Sequence, residues 1–528
     1  MTAVEKVAGE VQRIRRFDGP WPDLSLARDV NVSSVVTRAA RSRGDHEALV
    51  YQDQRLTYRE LDAAIDRVAF QLHDMGVYDG HFVITLARNS ANVVVLYLAL
   101  ARLGAVNVPL NPMLTATEIL ELVQRTQPVL TVHTAEFNET ASVLENSGYR
   151  VVDMPEGENG ISEDHWFRTT PAPAVPFDPA PGGARPACVV FTSGSTSKPK
   201  GCVKTHANFM WHSMNMHLGW KRSQDDVEYF CIPLSGIGFP NFVLTIFSAM
   251  GTLVVDRVSA RNSAATMERE RVTTTFLPAT AAETILLGDG ARGRDLSSLR
   301  AVHLSYRMTP EFRAALVAQY GPIFNNGYGS TEGALICGTP DSFIANATSH
   351  GVPRGVDEVV IGNPDGTIAP VGERGEILLK GPCVMAGYLD DPAATTETLR
   401  DGWLHTGDIG HFDERGELHF DGRLKDIIKT GGYNVSSEEV EAAIVSLPGV
   451  ADAAVFGVAD ARWGEAVRAV VVLDPGAGWT EATLGTELRQ TLAAFKCPKS
   501  ILFADDLPRN PGGKLVKAAI VESHGGIV

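Results

Sequence analysis

A chain of 528 residues is too long for one compact core and divides into a large region with subdomains plus at least one separate unit. Its 44% hydrophobic and 21% charged residues exclude a disordered or fibrous protein, and a formal net charge of -16 with no Lys/Arg-rich run argues against a nucleic-acid partner. The six cysteines (Cys188, Cys202, Cys231, Cys337, Cys383, Cys497) form no CxxC pair, which points to free thiols in a reducing compartment rather than structural zinc.

In chain order, Met1 to Gly19 is charged and lacks an apolar h-region, so a cytoplasmic protein is expected. Leu61, Ile65, Val68, Leu72 and Met75 recur at helical spacing, predicting an amphipathic helix over Tyr58 to Met75 that Gly76 ends. The most apolar stretch, Val93 to Pro109, is too short and too interrupted by Arg102 and Gly104 to span a bilayer, and reads as a buried helix running into a strand. Short strands are predicted at Phe82 to Leu86, Val106 to Leu110, Val129 to His133 and Tyr149 to Met154, with helical patterns between them. That alternation predicts layered α/β architecture. The Pro-, Ala- and Gly-rich stretch Thr170 to Pro186 is a connector, and the strand Cys188 to Thr192 follows it. Further strands at Thr252 to Asp256, Thr273 to Leu277, Ala301 to Ser305 and Ile377 to Lys380 make a second α/β subdomain. From Gly422 the pattern becomes compact: Asp426 to Lys429, a helix from Glu438 to Leu447 with a Ser436/Glu439 capping box, strands at Ala453 to Val458 and Ala469 to Leu473, and a helix near Glu481 to Ala494. The expected division is a large N-terminal domain of layered α/β subdomains over 1–421 and a small mobile α+β C-terminal domain over 422–528.

The loop after the strand ending at Thr192 reads Ser193-Gly194-Ser195-Thr196-Ser197-Lys198-Pro199-Lys200-Gly201. Small residues let backbone N–H groups and hydroxyls close around phosphate oxygens, and Lys198 and Lys200 add positive charge. A Walker A loop is excluded, because it would need Gly at Pro199 and Ser or Thr at Gly201. Taken alone, such a segment is also what a plain surface loop looks like.

With these residues the chain resembles the adenylate-forming superfamily of acyl-CoA synthetases, peptide-synthetase adenylation domains and beetle luciferases, roughly from Leu49 to Val521. The resemblance is most like a stand-alone acyl-CoA synthetase. It assigns ATP contacts to Thr192, Ser193, Gly194, Ser195, Thr196 and Lys200, with Ser197 replacing the more usual Gly. Asn325-Asn326-Gly327-Tyr328-Gly329-Ser330-Thr331-Glu332-Gly333 matches the second core motif. There the resemblance implies nucleotide contacts from Asn326 and Gly327, adenine stacking by Tyr328, an α-phosphate contact from Thr331 and Mg²⁺ held by Glu332 with Thr192. The chemistry is consistent: a flat aromatic suits a purine face, and a carboxylate among phosphates makes sense with a bridging cation.

Gly402-Trp403-Leu404-His405-Thr406-Gly407-Asp408 corresponds to the segment whose Asp408 accepts both ribose hydroxyls, a sound pairing for an ionised carboxylate. Asp421-Gly422-Arg423-Leu424-Lys425-Asp426 resembles the hinge motif, with Arg423 at the ribose and Lys425 as pivot. Thr430-Gly431-Gly432-Tyr433-Asn434-Val435 resembles the thiol-tunnel loop, in which Gly431 and Gly432 give a thin pantetheine chain close access. Pro508-Arg509-Asn510-Pro511-Gly512-Gly513-Lys514-Leu515 matches the last motif, whose Lys514 bridges the acid's carboxylate and the α-phosphate where transition-state charge gathers. Lys514, Thr331 and Glu332 are therefore the expected catalytic residues.

Two departures concern the acid. The family's Leu-Pro-Leu-Phe-His stretch stands here as Ile232-Pro233-Leu234-Ser235-Gly236, followed by Ile237-Gly238-Phe239, so both bulky gate residues are gone. The Gly-Gly-Ala-Pro stretch stands as Leu304-Ser305-Tyr306-Arg307. Ser305, Tyr306 and Arg307 are expected near ATP, and Ser235, Gly236, Ile237, Gly238, Tyr306 and Gly329 around a nonstandard small carboxylic acid.

The expected activity is MgATP-dependent formation of acyl-AMP with pyrophosphate release, then transfer to a thiol, with coenzyme A as the expected cosubstrate. Within the fold the alternatives are transfer to an acyl carrier protein, or to a nonthiol nucleophile in amine ligation or nitrite-activating diazotisation. A nonenzymatic nucleotide-binding protein is disfavoured because Lys514, Glu332 and Asp408 are all present.

Overall fold

The computed structural model describes residues 30–154, 183–192, 199–236, 238–305, 310–333, 335–345, 348–353, 355–430, 433–460, 463–509 and 515–525. Capping and burial explain its first helices. Tyr58–Asp74 starts at Thr57, whose hydroxyl accepts the Glu60 N–H while Glu60 reaches back, a complete capping box. Ala91–Leu103 is buried at every position and ends on Gly104 at φ +75°, a left-handed cap that glycine adopts without strain. The apolar run with an arginine in it is thus a core helix. Arg102 is 1% exposed and is neutralised by Asp62 at 2.6 Å and Asp66 at 2.5 Å, both on the neighbouring helix.

Two large sheets carry the N-terminal region. One has eight strands, with Leu335–Cys337, Phe324–Gly329, Ala301–Ser305, Thr274–Pro278, Val227–Phe230, Thr252–Val255, Glu47–Tyr51 and Gln54–Thr57 side by side. The other has seven, with Gly387–Tyr388, Lys200–Thr205, Pro186–Thr192, Val106–Pro109, Phe82–Leu86, Leu130–His133 and Val151–Asp153 in that order. Helices Ser34–Arg43, Tyr58–Asp74, Ala91–Leu103, His206–Trp220 and Gly238–Ser248 share one apolar core with both sheets. Other helices cover the outer faces: Ser263–Arg269 and Pro310–Tyr320 on the first, Ala116–Thr126 and Asn138–Asn146 on the second. The layers run helix, sheet, helix, sheet, helix, as the alternating pattern predicts.

A third sheet of five strands is antiparallel, formed by Glu358–Gly362, Gly375–Lys380, Leu399–Arg400, Trp403–Phe412 and Leu418–Arg423. Its core includes Tyr328, which ties it to the eight-stranded sheet. The fourth sheet belongs to the C-terminal unit: Tyr433–Ser436, Ile427–Thr430, Gly464–Leu473 and Val450–Asp460, with Ser500–Phe503 beside Gly464–Leu473. Helices Ser437–Val445 and Glu481–Thr491 pack on its apolar core. The strand that crosses Asp421 and Gly422 continues to Arg423, and a short turn, Leu424–Asp426, precedes the fourth sheet. The change of sheet therefore falls just after the composition break. Ser436 caps its helix by accepting the Glu439 N–H, but the expected reciprocal half of the capping box is missing. The Glu439 carboxylate is drawn instead to Lys496 at 2.5 Å and Arg374 at 3.4 Å, charged partners that outcompete a backbone amide.

Candidate active site

The parallel strands Val227–Phe230, Thr274–Pro278, Ala301–Ser305 and Phe324–Gly329 end on one edge of the eight-stranded sheet, where α/β proteins bind ligands. Ser305 closes one of these strands, and its hydroxyl is buried with no partner among the described residues. A buried hydroxyl without a partner is costly, so this position suits a polar ligand group.

Beyond that edge, Tyr328 donates its phenol hydrogen to Asp408 Oδ2 at 2.7 Å, across 80 residues of sequence. Arg423 Nε meets Asp408 Oδ1 at 2.9 Å, and the two face each other on adjacent strands of the third sheet. The Asp408 N–H donates to Thr406 Oγ1 at 3.0 Å. Burial, and then the Asp408 charge beside it, push the Tyr328 phenol well above its ordinary pKa, so it remains a donor. Tyr328 is only 6% exposed; Phe420 lies near-parallel to its ring at 6.1 Å and His350 edge-on at 6.2 Å. The expected stacking residue is thus a buried member of an aromatic cluster rather than an open platform.

The expected phosphate side falls on the hairpin of the seven-stranded sheet, in which Thr192 pairs with Lys200. Thr192 Oγ1 donates to the Lys200 carbonyl at 3.3 Å, and Arg125 holds the Pro199 carbonyl at 2.6 Å. The Lys200 ammonium sits 5.0 Å from the centre of the Tyr388 ring, and the Tyr388 hydroxyl donates to Glu332 Oε1 at 3.0 Å. The Cys202 thiol contacts the Thr331 carbonyl at 3.5 Å. Gly333 lies where a Cβ would come within 2.5 Å of Leu379 and 2.7 Å of Leu404, so the turn after Glu332 packs too closely for any side chain. Thr192, Lys200, Thr331 and Glu332 are therefore drawn into one constellation, with Asn326, Gly327 and Gly329 on the strand leading to it.

Among the described residues no three His, Cys, Asp or Glu side chains gather as a metal site. A single carboxylate, Glu332, next to a hydroxyl- and lysine-bearing hairpin fits Mg²⁺ that arrives on a triphosphate, since that ion keeps most of its shell as water and phosphate oxygens.

On the side where the acid is expected, Asn89 clamps the segment before Ser235 and Gly236: it donates to the Ile232 and Asp256 carbonyls at 2.8 and 2.9 Å and accepts the Leu234 N–H at 2.9 Å. Among the described residues a Cβ at Gly236 would meet nothing closer than 3.9 Å, so a side chain there is not excluded by crowding. Gly238 differs, because a Cβ there would press on Ile232 at 2.8 Å. Deeper along the same strands, Trp220 stacks on His303 at 3.7 Å and on Phe242 at 5.1 Å, and Phe242 on Phe276 at 4.4 Å. His303 contacts Asn325 and meets Arg222 at 2.9 Å, and Arg222 pairs with Glu228 at 2.6 Å. Burial, and then the Arg222 charge, drive His303 well below its ordinary pKa, so this imidazole is neutral. Sequence reasoning missed this slab, along with Asn89 and Tyr388; a histidine inside an otherwise apolar strand was its one visible signal.

Ser193, Gly194, Ser195, Thr196, Ile237, Tyr306, Arg307, Gly431, Gly432 and Lys514 lie outside the described residues. Lys425 is described by its backbone, within the turn Leu424–Asp426.

Comparison with known proteins identifies the family. The family profile described as "AMP-binding enzyme" matches residues 36–389, and "AMP-binding enzyme C-terminal domain" matches residues 439–514. A feruloyl-CoA synthase from Amycolatopsis sp is 34% identical over 94% of this chain and 100% of its own length. An indoleacetate–CoA ligase from Aromatoleum aromaticum is 32% identical over 92% of this chain and 97% of its own. Among solved structures, ATP-bound MatB from Rhodopseudomonas palustris superposes with a TM-score of 0.85 at 28% identity, covering 93% of this chain and 99% of that one. The amide bond synthetase McbA from Marinactinospora thermotolerans gives 0.84 at 29% identity, with 93% and 99% covered. With its two profile matches in order and full-length relatives of about one-third identity, this chain belongs to the AMP-binding enzyme family and is an adenylate-forming enzyme.

Proposed function

We propose that the protein is an AMP-forming acid–CoA ligase acting on a ring-bearing carboxylic acid in the cytoplasm. The observation that carries this reading is the strand Phe324–Gly329 and the turn after it, which link the Asp408–Arg423 pair at one end to Glu332, Tyr388 and Lys200 at the other. A nucleotide laid along that strand puts its ribose diol at Asp408 and its phosphates at Lys200 and Thr331.

In the first half-reaction a carboxylate oxygen of the acid attacks the α-phosphorus, the bond to the bridging oxygen breaks, and pyrophosphate leaves. Magnesium bound with the triphosphate supplies charge neutralisation there. Lys200 and the hydroxyls from Thr192 to Thr196 hold the phosphates, and Lys514 stabilises the charge gathered between carboxylate and α-phosphate. In the second half-reaction the thiol sulfur attacks the acyl carbon, the acyl–phosphate oxygen bond breaks with AMP as leaving group, and the thiol proton passes to solvent. We assign Gly431 and Gly432 to the thiol path, with the C-terminal unit beyond Lys425 turning between the two steps. The ring-bearing acid is inferred from the feruloyl and indoleacetate named for two relatives and from the loss of the two bulky gate residues at Ser235 and Gly236.

The likeness to an amide bond synthetase supports a second reading, in which an amine takes the acyl group. Pyrophosphate release measured over a panel of aryl and alkyl acids, with and without coenzyme A, tests both. Thioester formation with CoA establishes the first reading; adenylation without thioester, and an amide on adding amines, establishes the second.

A further inference from the structure

A glutamate side chain has three rotatable bonds, so a carboxylate that must meet a metal on a mobile triphosphate gains from being held beforehand. Glu332 is held by one strap, residues 382–388. The Met385 N–H donates to the Glu332 carbonyl at 2.7 Å, and the Tyr388 hydroxyl donates to its carboxylate at 3.0 Å. The strap is itself anchored from beneath. Asn208 donates to the Pro382 and Val384 carbonyls at 2.7 and 2.8 Å, and the Ala386 N–H donates to Val203 at 3.0 Å. Lys204, wholly buried, donates to the Cys383 carbonyl at 2.7 Å. A lysine taken out of water with no salt bridge to a carboxylate among the described residues is unusual, and here it fixes the middle of the strap.

Only one oxygen of Glu332 is engaged this way; among the described residues nothing donates to Oε2. The Lys200 ammonium over the Tyr388 ring draws electron density from the phenol and strengthens it as a donor. We propose that Tyr388 is a positioning residue that pins one carboxylate oxygen of Glu332, so that the other is presented to the magnesium ion carried by ATP. This rests on the reading of Glu332 as the metal-facing carboxylate.

The test uses the full chain and three variants: Tyr388→Phe, which removes one oxygen and keeps the ring under Lys200, Glu332→Gln, and the double variant. Mn²⁺ binding in the presence of α,β-methylene-ATP is read by electron paramagnetic resonance, and Mg²⁺ dependence by pyrophosphate release, with folding checked by circular dichroism. Tyr388→Phe is expected to weaken Mn²⁺ binding at least about tenfold, as for loss of one hydrogen bond to a charged group, and to raise the Mg²⁺ requirement more than it lowers the maximal rate. The double variant is expected to bind no more weakly than Glu332→Gln alone. Unchanged Mn²⁺ binding in Tyr388→Phe, with a clear loss in Glu332→Gln, overturns the role of Tyr388 and leaves Glu332 in place. Full additivity in the double variant also overturns it, because Tyr388 would then act elsewhere. No loss in Glu332→Gln overturns the underlying reading of Glu332. Should Tyr388→Phe misfold, Tyr388→Leu, alone and combined with Glu332→Gln, provides the same test: normal Mn²⁺ binding in the single variant refutes the pinning, and a loss that disappears in the Glu332→Gln background supports it.

Discussion

Asp408 is expected to serve the nucleotide and yet is already engaged by Tyr328 and Arg423, so Asp408→Asn separates a binding role from a structural one. The amide is nearly isosteric, and its oxygen can still accept the Tyr328 phenol. What is lost in the empty enzyme is mainly the charge facing Arg423, whose side chain is 37% exposed. Asp408 itself is buried, but Arg423 can turn its charge to water and the buried position sheds a carboxylate charge, so the cost to folding is about 1 kcal/mol or less. The bound nucleotide loses more, because a carboxylate accepting from the ribose diol in a buried site contributes charged hydrogen bonds of roughly 1.5–3 kcal/mol each. The expected result is an AMP affinity weakened at least about tenfold by calorimetry, with the melting temperature lowered by only a few degrees. A large fall in melting temperature with AMP affinity unchanged would refute the argument and make Asp408 a purely structural acceptor for Tyr328 and Arg423.

Lys514→Ala is expected to abolish acyl-AMP formation yet spare thioester formation from synthetic acyl-AMP, and Gly432→Leu to do the reverse. Loss of the same half-reaction in both variants would contradict the division of labour proposed for the C-terminal unit. Burial holds His206 and His350 neutral down to about pH 4, whereas in the unfolded chain both take up protons below 6.5. Between these values the unfolded state binds more protons, so stability is lost as pH falls from 6.5 toward 4; at pH 5 the loss is roughly 2 kcal/mol per histidine. Urea unfolding at pH 7.5 and pH 5 measures it, and equal midpoints would count against it. Arg102→Ala leaves Asp62 and Asp66 without their shared cation in the helical core and is expected to destabilise the N-terminal region by about 3–5 kcal/mol, read from the urea midpoint.

Local rules made much of this protein legible in its sequence. Helical spacing and Gly76 mark Tyr58–Asp74 within one residue, and the strands at Phe82–Leu86 and Ala301–Ser305 fall where apolar runs between turns place them. These features depend on neighbours a few residues away, as helix and strand periodicity do. The ordered motifs from Thr192 to Lys514 were sufficient for the family, because each is a short stretch whose residue types suit phosphate, ribose or metal chemistry.

What the tertiary structure alone decided are the contacts between distant residues. Tyr388 reads in the sequence as one aromatic on a short strand; its hydroxyl reaches Glu332 only because that strand pairs with Lys200–Thr205 at the edge of the seven-stranded sheet. Lys204 looks like a surface cation until the strap over Cys383 encloses it. The slab of Trp220, His303, Phe242 and Phe276 draws on two helices and two strands that only the layer packing brings together. Periodicity encodes which face of an element is apolar, but not which other element covers it, and that choice is made by sheet order and the packing of whole layers.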